Sequence, residues 1–353
     1  KILLLKNNKT EIFNNNYKFL NSTSYINFKL TNNYAIDHFS AANSSPFYDI
    51  KNFKWSDTLV KNIIDLNQLP SLFWSNEIIG KITLKASKIT GLQEGTPVTT
   101  GTIDAAAEAL SVGVSQPGDM MMMYGSTKFF ISITAQPVFD ERLWYAPWLF
   151  KNENSSLAGL ATSGTLTHWF KNELAKDIEG EDAFIKLARE AEKSPMGSKG
   201  IIFLPYFSGE RTPIHDTFAK GAFFGLNLTH SRSDLYRSIF EGIAYGTKHV
   251  FDTFEELNNL PKKLYSVGGG IKNKLWSQTT SDITGLKQII RKKTIGASYG
   301  GAFLGALAIG DVTRNDINKW NEVDFEITAN KNYVYVNGYK YFRKLYQNTK
   351  DLM

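Results

Sequence analysis

The chain has 353 residues, 42% hydrophobic and 21% charged, a folding composition with length for about two domains. It contains no cysteine, which excludes disulfides, cysteine-ligated zinc, iron–sulfur clusters and thiol nucleophiles. The 40 Lys and Arg against 34 Asp and Glu leave a net charge of +6, scattered rather than gathered into a basic tail, so no nucleic-acid partner is expected. The longest apolar runs, Ile201–Phe207 and Ala302–Ile309, fall far short of the ~18 residues of a membrane span. No membrane partner is expected, and a cytoplasmic location is.

In chain order, the segment to about Pro70 is rich in Asn, Lys, Ile, Tyr and Phe with weak periodicity. Gly95–Gly101 reads as a turn feeding a short strand, and Ala105–Leu110 as a helix directly after Asp104. Gln116–Asp119 is a turn, followed by the strands Met120–Tyr124 and Phe129–Thr134. Pro117 and Gly118 mark the expected hinge, dividing the chain into 1–117 and 118–353. Beyond it, Glu181–Lys193 reads as a helix and Gly200–Leu204 as a strand. The strongest helix signal starts at the caps around Ser231–Asp234, with Leu235, Ile239, Ile243, Val250, Phe254 and Leu257 on one face. Lys263–Val267 reads as a strand, Gly268–Gly270 as a turn, Leu275–Ile283 as a helix and Gly300–Ala308 as a small-residue helix. Strands alternating with helices, with glycine at the strand-to-helix turns, argue for an α/β fold.

Three glycine-containing turns hold residues able to carry chemistry. In Gly101-Thr-Ile-Asp104, an aspartate between a strand and a helix serves either as a general base at a crevice or as a helix N-cap; spacing leaves both open. Met123-Tyr-Gly-Ser-Thr127 lies between two strands, and reads as a phosphate-binding loop or a plain hairpin turn. Val267-Gly-Gly-Gly-Ile-Lys-Asn273 precedes a helix, where glycine lets a flat group approach the backbone and the helix start favours negative charge. It matches neither the dinucleotide fingerprint nor a Walker A loop. His38, His168, His215, His230 and His249 show no i, i+4 pair and argue against a zinc site. The Met120–Met123 run reads as a buried strand, and Glu210 with Arg211 as an ion pair.

Taken together, these turns resemble those of the FGGY carbohydrate kinases, which belong to the actin-like, ribonuclease-H-like ATPase superfamily. The resemblance rests on Gly221-Ala-Phe-Phe-Gly-Leu226 followed by Asp234-Leu-Tyr-Arg-Ser-Ile-Phe-Glu241. It extends to Leu204–Pro213, Ser266–Trp276, Thr294–Tyr299 and Gly101–Glu108, in the family's order. It implies an α/β fold with two domains around a cleft. Residues 1–117 would be the remainder of the first, sugar-binding domain, and 118–353 the second, nucleotide-binding domain.

The resemblance also implies roles. Asp104 would take the proton from the sugar hydroxyl that attacks the γ-phosphate of ATP, with Mg²⁺ as the accompanying ion; no metal ligand is assigned. Gly125, Ser126 and Thr127 would form the second phosphate loop, although their order differs from the usual Gly-Thr-Ser or Gly-Thr-Gly. Gly164 and His168 would line the nucleotide pocket, His168 reading equally as a helix-surface residue. Gly269, Gly270 and Asn273 would meet the adenosine. The stretch from Gly101 to Thr127 looks most like members acting on D-xylulose, with gluconate and ribulose as alternatives. Outside catalysis, the alternative is a nucleotide- or sugar-binding module of degenerate actin-like fold. The family's opening Asp-Gly-Thr loop and most of its sugar contacts are expected to lie before Lys1, leaving the first domain incomplete. A homodimer is a family-level expectation.

Overall fold

The computed structural model describes residues 1–353. The polar opening segment forms short helices, among them Ile2–Asn8, Ser22–Thr31 and Leu84–Thr90. Ile2–Asn8 buries none of its side chains, which is why no periodic pattern marks it. Ala35–Asp37 pairs in parallel with Ser71–Phe73, and Ile78–Lys81 pairs antiparallel with Pro97–Thr99.

The remainder is built on one sheet. Helix α1 (Asp104–Ser111) leads into strands β1 (Asp119–Tyr124), β2 (Lys128–Thr134), β3 (Trp144–Pro147) and β4 (Asn154–Leu160). Helices α2 (Gly164–Leu174), α3 (Ala183–Glu192) and α4 (Arg232–Glu256) follow, then β5 (Lys263–Val267), α5 (Lys274–Thr284), β6 (Gln288–Arg291), α6 (Ala297–Ala308), β7 (Val323–Ile327) and α7 (Tyr333–Thr349). The seven strands run in the order β7-β6-β5-β1-β2-β4-β3. β1, β5 and β6 are mutually parallel, and the antiparallel β2, β4 and β3 extend one side while β7 closes the other. The fold is α/β, as the alternation of strands and helices implied.

Both faces of the sheet are covered. Met120, Met122 and Phe130 on one face meet Ile239, Phe240, Ile243 and Phe254 of α4. Met121, Ile131 and Tyr265 on the other meet Ala106, Ala109 and Leu110 of α1 with Phe303 and Leu304 of α6. Met120, Met121 and Met122 are all fully buried, so the methionine run belongs to a strand with helices on either side. Each large side chain buried this way contributes about 1.5–3 kcal/mol.

Helix α4 starts where its caps predict. Ser231 and Asp234 form a reciprocal capping box that satisfies two of the free amides at the helix start. Burial pushes the Asp234 carboxyl up, but hydrogen bonds from Ser194, Ser231 and Lys199 outweigh it and hold it well below the usual carboxylate range. No helix is long and apolar enough to cross a membrane.

Candidate functional site

In a parallel sheet, ligand crevices form beyond the carboxyl ends of the strands. β1 and β5 are parallel neighbours with Met123 beside Val267, so the turns that follow them, at Gly125 and Gly268, emerge side by side. A cavity of about 820 Å³ opens there. Gly125, Ser126, Gly164, His168, Gly269, Gly270 and Asn273 all line it, so three turns distant in sequence meet at one opening.

Glycine is required at the points of closest approach. A Cβ at Gly164 would lie 2.7 Å from the Gly125 carbonyl oxygen, and one at Gly270 would lie 2.5 Å from the Trp276 ring. Gly268 combines a φ of +97° with 2.6 Å to the Tyr124 carbonyl, a conformation and a distance that exclude other residues. Gly269 differs: nothing lies within 4 Å of its Cβ position, and since it lines the cavity, a side chain there would take up ligand space. The hairpin loop is tied to the start of α2, with the Gly164 amide donating to Gly125 O at 2.9 Å and the Ser163 amide to Ser126 O at 2.9 Å.

Asn273 is the N-cap of α5, its Oδ1 accepting from the Trp276 amide at 3.1 Å. Its side-chain carbonyl is therefore engaged, and its amide group remains to donate to a ligand. His168 is exposed on α2 and also lines the cavity, so its surface and pocket readings coincide; its ring meets Phe184 edge-on at 4.7 Å. The floor is aromatic, from Tyr124, Tyr236 and Trp276, and the walls carry Arg189, Lys272 and Lys274 against Glu192. An apolar floor with a cationic rim suits a ligand that joins a flat ring to an anion.

Two of the sequence candidates lie elsewhere. Thr127 does not line the cavity; its carbonyl accepts from the Gly125 amide at 3.1 Å and closes the loop. Asp104 is exposed outside the cavity at the first residue of α1. The capping alternative for Asp104 is not what forms: Ile103 occupies the N-cap, and the Asp104 carboxylate takes only the adjacent Ala105 amide at 2.7 Å. Glu108, one turn along, has its carboxyl raised by burial and by the neighbouring Asp104 charge.

Sequence reasoning missed the group that holds the Asp104 turn. Asp37 ends its short parallel strand fully buried, with its Oδ2 accepting from Thr102 Oγ1 at 2.8 Å, the Ser40 amide at 3.2 Å and Ser75 Oγ at 3.3 Å. Burial raises its carboxyl against the pull of those hydrogen bonds. Thr102 lies two residues before Asp104, so the Asp37 network fixes the path of the turn that presents it.

The pairing of Glu210 with Arg211 is corrected. Arg211 is exposed and its side chain makes no ion pair. Glu210 is buried instead, its Oε1 accepting from the Ala161 amide at 2.6 Å and the Arg211 amide at 2.7 Å. Ala161 immediately follows β4, so this carboxyl anchors the path to Ser163 and Gly164. Burial pushes it up to about 7, against the two amide hydrogen bonds. A carboxyl raised on folding keeps its proton in the folded chain after the unfolded chain has lost it. Its contribution is therefore full below the ordinary value and lost as pH rises through about 7, a change of a few kcal/mol. Glu210→Gln is expected to flatten the stability profile between about pH 4.5 and 7, measured by urea unfolding; an unchanged slope contradicts this assignment.

With parallel strands delivering glycine turns to one crevice, the architecture is that of an actin-like, ribonuclease-H-like ATPase. Residues 1–111 match the N-terminal domain and residues 120–309 the C-terminal domain of the FGGY family of carbohydrate kinases. The chain belongs to this family. It is 26% identical to a xylulose kinase of Staphylococcus xylosus over 91% of this chain and 66% of that protein. It is also 26% identical to a gluconokinase of Bacillus subtilis over 90% of this chain and 63% of that protein. The chain thus spans just under two thirds of the length of these relatives. Its fold superposes on the crystal structure of a xylulose kinase from Rhodospirillum rubrum with a TM-score of 0.93, at 27% identity, over 99% of this chain and 72% of that one.

Proposed function

We propose that the protein transfers the γ-phosphate of ATP to a hydroxyl of a small sugar, D-xylulose first among candidates, in the cytoplasm. The observation that carries this reading is the meeting of the Gly125, Gly164 and Gly269 turns around one cationic, ring-floored cavity. In it, the adenosine lies against Gly269 and Gly270 with the Asn273 amide donating to it, and the phosphates reach the Gly125–Thr127 loop. The two units divide at Pro117–Gly118, between the segments matched by the two domain families.

Asp104 then acts as general base. Its carboxylate accepts the sugar hydroxyl proton as that oxygen forms its bond to the γ-phosphorus, and the bond from the γ-phosphorus to the bridging oxygen breaks to release ADP. Positioning supplies most of such catalysis, and the Asp37–Thr102 hydrogen bond holds the Asp104 turn in place. Mg²⁺ requires only one or two protein carboxylates beside phosphate oxygens, and Glu108, one turn along from Asp104, could furnish one; when bound, the ion would neutralise phosphate charge.

Gluconate is kept as a second substrate because the gluconokinase relative matches at the same identity as the xylulose kinase; ribulose is tested alongside it. The test is coupled ADP release with D-xylulose, D-ribulose, D-gluconate, glycerol and no sugar. Strong stimulation by D-xylulose is expected. ATP binding without stimulation by any of them would instead support the non-catalytic module.

A further inference from the structure

Lys128, at the foot of the hairpin loop, occupies a place where an apolar residue would be expected. It is the first residue of β2, pairs across the ladder with Tyr124, and is fully buried. Its Nζ has no hydrogen-bond partner, a rare condition for a buried amine. The amine lies 4.0 Å from the centroid of Tyr124 and 5.9 Å from that of Trp276, and both rings are part of the cavity floor. Trp276 Nε1, in the same floor, is also buried without a partner.

The surroundings do not balance a charge on Lys128. Facing it are Tyr124 from β1, whose hydroxyl donates to Gln288 at 2.8 Å, and Trp276 from α5. Tyr236 of α4 completes the floor, and the charged groups of the cavity are Arg189 and Glu192 on α3 with Lys272 and Lys274 before and at the start of α5. Burial holds the Lys128 amine well below the usual lysine range, with no charged neighbour opposing it. A fully enclosed amine with neither a hydrogen-bond partner nor a counter-charge is disfavoured as an ammonium, and this one lies beside a site whose proposed ligand is a polyanion.

We propose that Lys128 is the internal counter-charge of this pocket, converted from amine to ammonium by a proton taken from solvent when nucleotide phosphates bind. This rests on the nucleotide reading of the cavity. Phosphate seated on the Gly125–Thr127 loop attracts a cation through the low-dielectric floor without contact, while the ring face of Tyr124 stabilises the ammonium that forms. The amine gains one proton and no bond to the ligand is made. Binding of phosphorylated nucleotide is thereby linked to pH. Affinity falls about tenfold per pH unit between the free and bound values of the amine, because the unprotonated form dominates before binding. Adenosine, lacking phosphate, carries no such linkage.

The test is titration calorimetry of the whole protein with ADP and with adenosine, each in two buffers of different ionisation enthalpy. It is run at about pH 8, where the phosphates are fully ionised. Uptake of about one proton per ADP is expected for the parent protein, none for adenosine, and none for Lys128→Met with either ligand. Lys128→Met is also expected to weaken ADP by at least tenfold and leave adenosine unchanged. ADP binding by the parent with buffer-independent heat overturns the inference while leaving the pocket intact. Absence of any nucleotide binding overturns the pocket reading and this inference together. Should Lys128→Met fail to fold, the contrast between ADP and adenosine in the parent protein decides the question by itself.

Discussion

Asp104→Asn lowers sugar-dependent turnover by a factor on the order of 10²–10⁴ and leaves nucleotide affinity where it was. The substitution keeps the shape of the side chain and removes its capacity to accept a proton. Asp104 is exposed, and its carboxylate engages only the next amide, so asparagine fits without disturbing α1. It lies outside the cavity proposed for nucleotide, which separates its role from binding. The loss therefore falls on kcat, with KM for ATP unchanged. The check is steady-state kinetics of both proteins beside calorimetric ADP titrations. Parent-like turnover would remove Asp104 from catalysis; a matching loss of ADP affinity would assign it to the nucleotide instead.

Gly300→Ala destabilises the protein by about 1–3 kcal/mol, whereas Gly301→Ala stabilises it by up to about 1 kcal/mol. Both glycines lie within α6, where propensity favours alanine at either position. Packing separates them. A Cβ at Gly300 would lie 1.8 Å from the Ala107 carbonyl oxygen, and one at Gly301 meets nothing within 4 Å. Backbone of α1 cannot yield as a flexible side-chain tip can, so α6 and α1 must move apart. α1 carries Asp104, so Gly300→Ala is also expected to depress turnover. Urea unfolding of the matched pair measures both signs; stabilisation by Gly300→Ala would contradict the close contact of these helices.

The parts of the site legible from sequence were those that punctuate the chain. Glycine beyond an apolar run marks a strand end, and the Gly125 and Gly269 turns could be found separately from that signal, whereas Gly164 came only from the family resemblance. The walls could not. Phe184, Ile185, Ala188 and Arg189 belong to an ordinary amphipathic helix, and only the tertiary packing turns that face toward the cavity. Asp37 was hidden because Ala35–Asp37 is a strand of three residues, too short for any period to register. Its role also depends on Thr102, 65 residues along the chain. Lys128 reads as the polar residue of a hairpin, and only the positions of Tyr124 and Trp276 show that its amine is enclosed. Glu210 and Arg211 show the limit of adjacency: neighbouring opposite charges suggested a pair, but the strand end at Ala161 offered the carboxylate a better donor. Short helices such as Ile2–Asn8 bury no side chain and so leave no hydrophobic trace.

The central claim is that the γ-phosphate goes to a sugar. Phosphorus NMR of the protein incubated with ATP, Mg²⁺ and D-xylulose follows that phosphate directly. The account predicts a sugar phosphate monoester appearing in step with ADP, with little inorganic phosphate. Inorganic phosphate alone, or ATP bound and unchanged with every sugar tried, would contradict it.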